Sequence, residues 1–291
     1  MTRLTAAEME PIPGNLARYD AELRRKTGLS LRQLACRANG IQEEEIQAVA
    51  GKVTVAAVPM SSGLGVIRGF SHAVAAIVAH LGFRVMVTHQ VDVAGMAEAV
   101  ERGGDILMVA DDHRFIALTH GRHPLVDNAG ATARGFVAGL EAMKGGVAGE
   151  SVLILGCGPV GVAGAEALLA RGASVTLLDT VRDRARSAFQ ALGPAGAGGL
   201  RVEEKGGPAV FRRYGLIFDA TNAGGFMESG HLTPETVLAA PGVPLGLTPE
   251  AMAVHGDRVL HDSLEIGTAT MAVQAAAEMA GSSRPGKVGE P

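Results

Sequence analysis

Two hydrophobic patterns alternate along this chain. Short apolar runs rich in β-branched residues are followed by longer stretches whose apolar positions recur every three or four residues. The first run, Val53-Thr54-Val55-Ala56-Ala57-Val58, stops at Pro59, and similar runs cover 83–88 and 106–110. Helical spacing predicts helices over 69–80, with Gly82 as a stop, and over 92–102. Ahead of them, 5–27 reads as one charged amphipathic helix from Thr5 to Gly28, and 30–38 as another. A helix over 128–143 leads to Lys144-Gly145-Gly146, a hinge. A second series then begins at Ser151. Strands are expected at 152–155, 174–178, 216–219, 243–246 and 259–262, and helices at 161–171, 181–192 and 268–279. Residues 193–199 read as a loop and 282–291 as a disordered tail.

Alternation of this kind predicts parallel sheets covered by helices. The expected class is α/β. N-terminal helices and an α/β substrate domain span 1–145, and a Rossmann-type doubly wound parallel sheet with the C-terminal helix spans 146–281.

Composition narrows the function classes. With 47% hydrophobic residues in 291, the chain can bury real cores. A net charge of -4 argues against nucleic acid, whose phosphates need a basic face. The longest apolar stretch, 72–87, is interrupted by His80 and Arg84 and is too short for a bilayer span. The first ten residues carry Glu8 and Glu10 without an apolar core, unlike a signal peptide. Cys36 and Cys157 are far apart and fit a reducing compartment. The expectation is a cytoplasmic protein that uses neither membrane nor nucleic acid. Assembly as a homodimer is left open.

The segment Gly156-Cys157-Gly158-Pro159-Val160-Gly161 follows a buried-strand pattern and precedes a helical one. In a strand–turn–helix setting the first glycine permits the turn, the second lets the backbone approach a pyrophosphate, and the third allows helix and strand to pack closely. Asp179 ends the next strand, 23 residues after Gly156, where an acid binds ribose hydroxyls and repels a 2′-phosphate. NAD is therefore the expected cofactor. Arg182 is the counter-signal, since an arginine there accepts that phosphate. An S-adenosylmethionine site is an alternative, but the spacing fits a dinucleotide better. Ala220, Thr221 and Pro241 follow later strands and would line the nicotinamide crevice.

In the first half, the loop 59–65 and the pair Asp111-Asp112 each follow a strand and would face a cleft between the domains. One such acid usually caps the next segment; the functional alternative is recognition of an ammonium group. An ordered set of segments adds to this reading. Val58-Pro59-x-x-Ser62-Gly63-x-Gly65, Gly69-Phe70-Ser71, Asp92-Val93-x-Gly95 and Met108-x-Ala110-Asp111-Asp112 resemble the pyrrolysine-biosynthesis dehydrogenase family. So do Arg24-Arg25-Lys26-Thr27-Gly28-Leu29, the glycine turn and Ile266-Gly267-Thr268-Ala269-Thr270-Met271, so the resemblance covers nearly the whole chain.

The resemblance implies NAD-dependent oxidation of the terminal amine of a lysine isopeptide, 3-methylornithyl-N6-lysine. Ammonia is released and the aldehyde cyclises to the pyrroline ring of pyrrolysine. Carried over by position, Ser62, Asp111 and Asp112 are polar substrate contacts, with Asp111 the catalytic candidate. Phe70 walls the pocket, and Leu4 belongs to an N-terminal helix that folds over it. The segment Asp262-Ser263-Leu264 matches a stretch near the nicotinamide, which adds Leu264 to the cofactor contacts. Leu64, Cys157, His113 following the acid pair, and Asp262, where the family suggests glutamate, depart from the pattern.

Hydride leaves an amine carbon only when the nitrogen lone pair is free, so the ammonium must first lose a proton. An ordinary carboxylate is a weak base for this, and none of Lys26, Lys52, Lys144, Lys205 and Lys287 follows a strand edge in a plausible cleft. The identity of the proton acceptor stays open. His120-x-x-His123 lacks a third ligand at metal spacing, so no metal is expected. Two other readings stay open: an NAD-dependent amino-acid or imine dehydrogenase with another substrate, and a non-catalytic NAD-binding sensor.

Overall fold

The computed structural model describes residues 4–120, 125–193 and 199–281. The expected tail 282–291, most of the loop 193–199, and His123 lie outside them.

The chain opens on α1 (Ala6–Met9) and α2 (Ile12–Thr27), two pieces instead of the single helix expected over 5–27. Pro11 and Pro13 have no amide hydrogen, so the helical ladder loses rungs at the junction. Met9, Leu16 and Leu23 are buried. Next come α3 (Leu31–Asn39) and α4 (Glu43–Ala50). Ser30 caps α3: its hydroxyl accepts from the Gln33 N–H at 3.1 Å, and the Gln33 side chain accepts from the Ser30 N–H at 2.9 Å.

The first sheet takes β1 (Thr54–Val58), β2 (Arg84–Val87), β3 (Ile106–Ala110), β4 (Phe115–Thr119) and β5 (Val126–Asp127). Helices α5 (Phe70–His80) and α6 (Asp92–Glu101) cross between its first three strands, and α7 (Asn128–Lys144) follows the last. The strand order is β2-β1-β3-β4-β5. The first three strands run parallel as expected, but β4 and β5 are antiparallel, so the sheet is mixed. The cause is local. Asp111 N–H donates to the Arg114 carbonyl at 2.9 Å, closing a four-residue hairpin turn that reverses the chain.

The second sheet takes β6 (Ser151–Leu155), β7 (Ser174–Leu178), β8 (Leu200–Val202), β9 (Leu216–Asp219), β10 (Val237–Ala240) and β11 (Val259–His261). Between them lie α8 (Pro159–Leu169), α9 (Arg182–Leu192), α10 (Pro208–Phe211) and α11 (Pro249–His255), and α12 (Glu265–Met279) ends the described chain. All six strands are parallel, in the order β11-β10-β9-β6-β7-β8. This is the doubly wound arrangement expected for 146–281, and the order reverses between β6 and β9, where a crevice opens. One expected strand is displaced. The fifth strand is the fully buried Val237–Ala240, and 243–246 is loop, because Pro244 has no N–H for a ladder.

Helix α12 turns back and packs against α3, α5 and α7, with nearly every residue from Glu265 to Ala277 buried. Helix α7 also packs against α8 and β10, and so touches both sheets. Glycine makes this possible. A Cβ at Gly135 would sit 2.4 Å from Ile266 Cγ2 and 2.7 Å from Thr270 Oγ1, and one at Gly139 would sit 2.2 Å from Leu260 Cδ2. By contrast, a Cβ at Gly14 on α2 meets nothing within 4 Å. Gly135→Val should therefore lower unfolding stability by about 1–3 kcal/mol through overpacking, while Gly14→Ala leaves it unchanged or slightly raises it. Urea midpoints of the two variants check the contrast.

Candidate active site

The carboxyl edges of the two sheets face each other across one cleft of ≈ 1450 Å³. The turns after β6, β7, β9 and β10 supply one wall. The loop after β1 and the hairpin turn after β3 supply the other.

On the second-sheet side, Gly156 has φ 85°, and a Cβ there would lie 2.9 Å from the Ala220 carbonyl oxygen. Only glycine suits that turn. Gly158, at the N-cap of α8, has nothing within 4 Å of where a Cβ would stand, so the backbone is open to the cleft. Pro159 and Val160 follow along the same wall. Gly161 lies beneath the wall, where a Cβ would come 1.9 Å from the Gly156 carbonyl oxygen. The first turn of α8 has no side-chain cap, so its N–H groups and positive dipole end are available to an anion. These residues fit a dinucleotide pyrophosphate.

Asp179 lies at the same end. One of its oxygens accepts from the Cys157 N–H at 2.8 Å and the other from the Val181 N–H at 2.8 Å. It thus holds the glycine turn and keeps lone pairs for a ribose. Arg182, Arg184 and, contrary to expectation, Lys205 after the end of β8 line the cleft nearby. Ala220, Thr221, Pro241 and Leu264 line its deeper part. Thr221 is fixed from below by buried Asp219, which accepts from its N–H at 3.0 Å and its hydroxyl at 2.7 Å. Burial pushes the Asp219 carboxyl up to about 6, against the opposing pull of those hydrogen bonds. Burial and the Asp179 charge raise the Cys157 thiol to about 12, which leaves it without thiolate character.

On the first-sheet side, Leu4, Ser62, Phe70, Asp111 and Asp112 all line the cleft. Phe70 and Phe115 meet edge to face, with ring centroids 5.4 Å apart. The loop bearing Ser62 is held by two carboxylates. Asp92 accepts from the Ser61 N–H at 2.7 Å and from its hydroxyl, and Asp112 accepts from the Leu64 N–H at 2.6 Å. Asp111 accepts from the N–H groups of Arg114 at 2.7 Å and His113 at 2.8 Å. These donors hold its pKa below the usual carboxylate range, so it stays ionised and is a poor base.

The cleft also contains polar residues that sequence reasoning missed. Asn128 and Thr132 line it from α7, joined by a 3.1 Å hydrogen bond. Asp262, named in sequence only as part of a matching stretch, lines it from the end of β11 and is nevertheless buried. Tyr19 of α2 donates to Asp262 at 2.7 Å, and the Ile266 N–H donates at 3.3 Å. Glu265, one turn on, accepts from the Leu264 N–H at 3.1 Å and is near enough to feel the Asp262 charge. Burial, reinforced by the Asp262 charge, pushes Glu265 up to about 8. Burial likewise raises Asp262 and Tyr19. The i, i+3 spacing of Asp262 and Glu265 across a strand–helix junction was the available signal. Tyr19, more than two hundred residues away, gave none.

Among the described residues no cluster of three or more His, Cys, Asp or Glu is arranged to hold a metal, and no helix is long and apolar enough to cross a membrane. His120 is occupied by the Gly104 carbonyl at 2.8 Å.

Comparison with known proteins bears on the family. Residues 11–124 match the N-terminal domain of the pyrrolysine biosynthesis protein PylD. The chain is 29% identical over 271 residues to the pyrrolysine synthase of Methanosarcina acetivorans, covering 93% of this chain and 98% of that one. It is 28% identical to the pyrrolysine synthase of Methanosarcina barkeri, covering 93% and 97%. The resemblance to the pyrrolysine-biosynthesis dehydrogenases is borne out. In fold, the chain is similar to quinate dehydrogenase from Corynebacterium glutamicum in complex with NAD (TM-score 0.54, 16% identity, 79% of this chain and 94% of that one). It is also similar to shikimate dehydrogenase from Aquifex aeolicus (TM-score 0.54, 14% identity, 80% and 94%). Aspartate transcarbamoylase from Trypanosoma cruzi shares the architecture too (TM-score 0.52, 12% identity, 86% and 91%). The fold therefore does not choose the chemistry; the side chains in the cleft do.

The raised Glu265 pKa has a stability consequence. A carboxyl whose folded pKa exceeds its unfolded value stabilises the fold fully below about 4.5 and loses that contribution as pH rises through about 8. Glu265→Gln should remove this loss. Its melting temperature relative to the native chain should rise between pH 5 and pH 9, as thermal scans across roughly that window would record.

Proposed function

We propose that this protein is an NAD-dependent oxidoreductase of pyrrolysine biosynthesis. Its reaction is oxidation of the terminal amine of 3-methylornithyl-N6-lysine to the aldehyde, with release of ammonia and closure of the pyrroline ring. The observation that carries this reading is the single cleft. It joins a glycine-turn cradle to a pocket with ionised carboxylate and aromatic walls, in a chain similar to pyrrolysine synthases over 93% of its length.

Gly158 and the first turn of α8 would take the pyrophosphate, and Asp179 the adenosine ribose. Asp179 favours NAD because its charge opposes a 2′-phosphate. When bound, the nicotinamide accepts hydride from the carbon bearing the amine. Asp111, ionised across the working pH range, would hold the substrate ammonium, with Asp112 and Ser62 beside it. Phe70, Phe115 and Leu4 would exclude water from the aliphatic chain. Positioning against the ring then supplies much of the rate.

Incubation of the purified protein with NAD and 3-methylornithyl-N6-lysine should give NADH absorbance and the mass of pyrrolysine. NADH formation only with free amino acids would point to a different dehydrogenase, and NAD binding without any turnover to a sensor. Asp111→Asn should lower kcat/KM roughly 10- to 100-fold, the worth of one charged hydrogen bond, with NADH binding intact. Gly158→Ala should weaken NADH binding without lowering the melting temperature, since its Cβ meets only the open cleft. Gly161→Ala should lower the melting temperature as well. NADH fluorescence titration beside thermal scans separates the two.

A further inference from the structure

One buried acid takes no part in the amine chemistry. Asp219 ends β9, where the strand order of the second sheet reverses, and it is fully buried. Its backbone ties neighbouring turns of the cofactor wall together. The Asp219 carbonyl accepts from the Gly242 N–H at 2.9 Å, after β10, and the next residue, Ala220, donates to the Leu155 carbonyl at 2.8 Å, at the end of β6. The side chain is held on one side only. Oδ1 takes both donors of Thr221, a residue of the cleft wall. Oδ2 is buried against the Gly246 backbone, where a Cβ would come within 2.2 Å of it. No donor among the described residues meets Oδ2 at hydrogen-bond geometry. Phe226 and Met227 crowd the same point, since that Cβ would also lie 2.7 Å from Phe226 Cε1 and 2.9 Å from Met227 Cε.

A buried carboxylate with one oxygen unpaired is destabilising, and it attracts a nearby positive charge through a medium that screens poorly. The oxidised nicotinamide ring carries such a charge. Reduction removes it, because the ring gains a hydride and becomes neutral. We propose that Asp219 is a specificity-determining residue that makes the cleft prefer the oxidised dinucleotide, its buried charge acting across the Thr221 turn on the cationic ring. This rests on the nicotinamide reading of the deeper cleft and not on the identity of the amine.

The preference is tied to a proton. Burial pushes the Asp219 carboxyl up to about 6, and no charged side chain on any element packed against it contributes to that shift. The opposing pulls come from the N–H and O–H of Thr221 and, more weakly, from the Gly246 N–H. A bound cation favours the ionised form, so occupancy lowers this pKa and expels the proton. By reciprocity, affinity for the oxidised form rises as pH passes upward through about 6. The neutral reduced ring gains nothing from the same ionisation. Once hydride has been transferred the attraction is gone, and the reduced dinucleotide is released more readily. The other raised carboxyls of this region, Asp262 and Glu265, remain in an Asp219 variant, which separates their contribution.

The test is calorimetric titration of the native chain and of Asp219→Asn with NAD+ and with NADH, without amine substrate. For the native chain the ratio of the NADH Kd to the NAD+ Kd should rise roughly threefold or more between about pH 5 and about pH 8, since one unit of pKa shift is worth about a factor of ten. Titrations near pH 6 in buffers of different ionisation enthalpy should show proton release with NAD+ and none with NADH. In Asp219→Asn the proton release should vanish, and the Kd ratio should stay at its acid value across the range. Thr221→Val keeps the carboxyl but removes a donor to its ionised form, so the transition should move to higher pH. If Asp219→Asn fails to fold, proton release by the native chain decides alone. Equal pH dependence and equal proton release for the two dinucleotides overturn the inference and leave the cofactor reading standing. An Asp219→Asn variant that keeps the native pH dependence overturns the role of Asp219. Binding of neither dinucleotide overturns the cofactor reading and this inference together.

Discussion

The structure depends on how closely α7 and α12 approach. Side chains at Gly135 and Gly139 would collide with Ile266, Thr270 and Leu260, so the helices and β11 meet almost backbone to backbone. A Cβ at Gly267 would likewise lie 2.4 Å from Thr132 Oγ1. Because α7 also lies on α8 and β10, this seam sets the distance between the sheets and therefore the width of the cleft. Close packing transmits small volume changes, since protein interiors have few voids to absorb them. The exposed Arg25–Asp257 ion pair across the same divide contributes much less, as is usual for solvated charges.

Within the cleft, one residue type serves several ends because its surroundings differ. Asp92, Asp112 and Asp179 accept backbone N–H groups and fix the shape of loops. Asp111 does the same for its own turn, and those donors keep it charged. Asp219 lies under the second sheet and orients Thr221. Asp262 and Glu265, shielded from water, are both raised above the usual carboxylate range although each also accepts a backbone N–H. The hydrogen-bond donors and the solvent around each carboxyl, more than its place in the chain, decide what it can do.

Much of this was legible in the sequence. The second sheet was readable because its strands are uninterrupted apolar runs, buried on both faces, and because Gly156, Gly158 and Gly161 occur between a strand pattern and a helix pattern. The loop with Ser62 and the two aspartates could be placed at the cleft from the strand ends they follow, whereas Leu4 and Phe70 came from the family resemblance. What escaped depended on reversal or on distance. The β3–β4 hairpin turns on Asp111 accepting local N–H groups, and an acid pair at a strand end reads equally well as a ligand site. Val237–Ala240 is a short buried run that periodicity cannot tell from helix, whereas Pro244 rules out a strand where one was expected. Tyr19 and Asp262 meet only after the whole chain has folded.

The hairpin turn 111–114 has an evolutionary implication. A crossover connection cannot be lengthened or shortened without disturbing the helix and strand it joins. A hairpin tip can, because its ends are already paired along β3 and β4. The residues nearest the substrate ammonium in the proposed reaction therefore sit on the part of the sheet that tolerates insertion best. The helical seam stays constant behind them. Lineages with this scaffold could diversify which amines they accept by rewriting one short loop, leaving the dinucleotide half untouched.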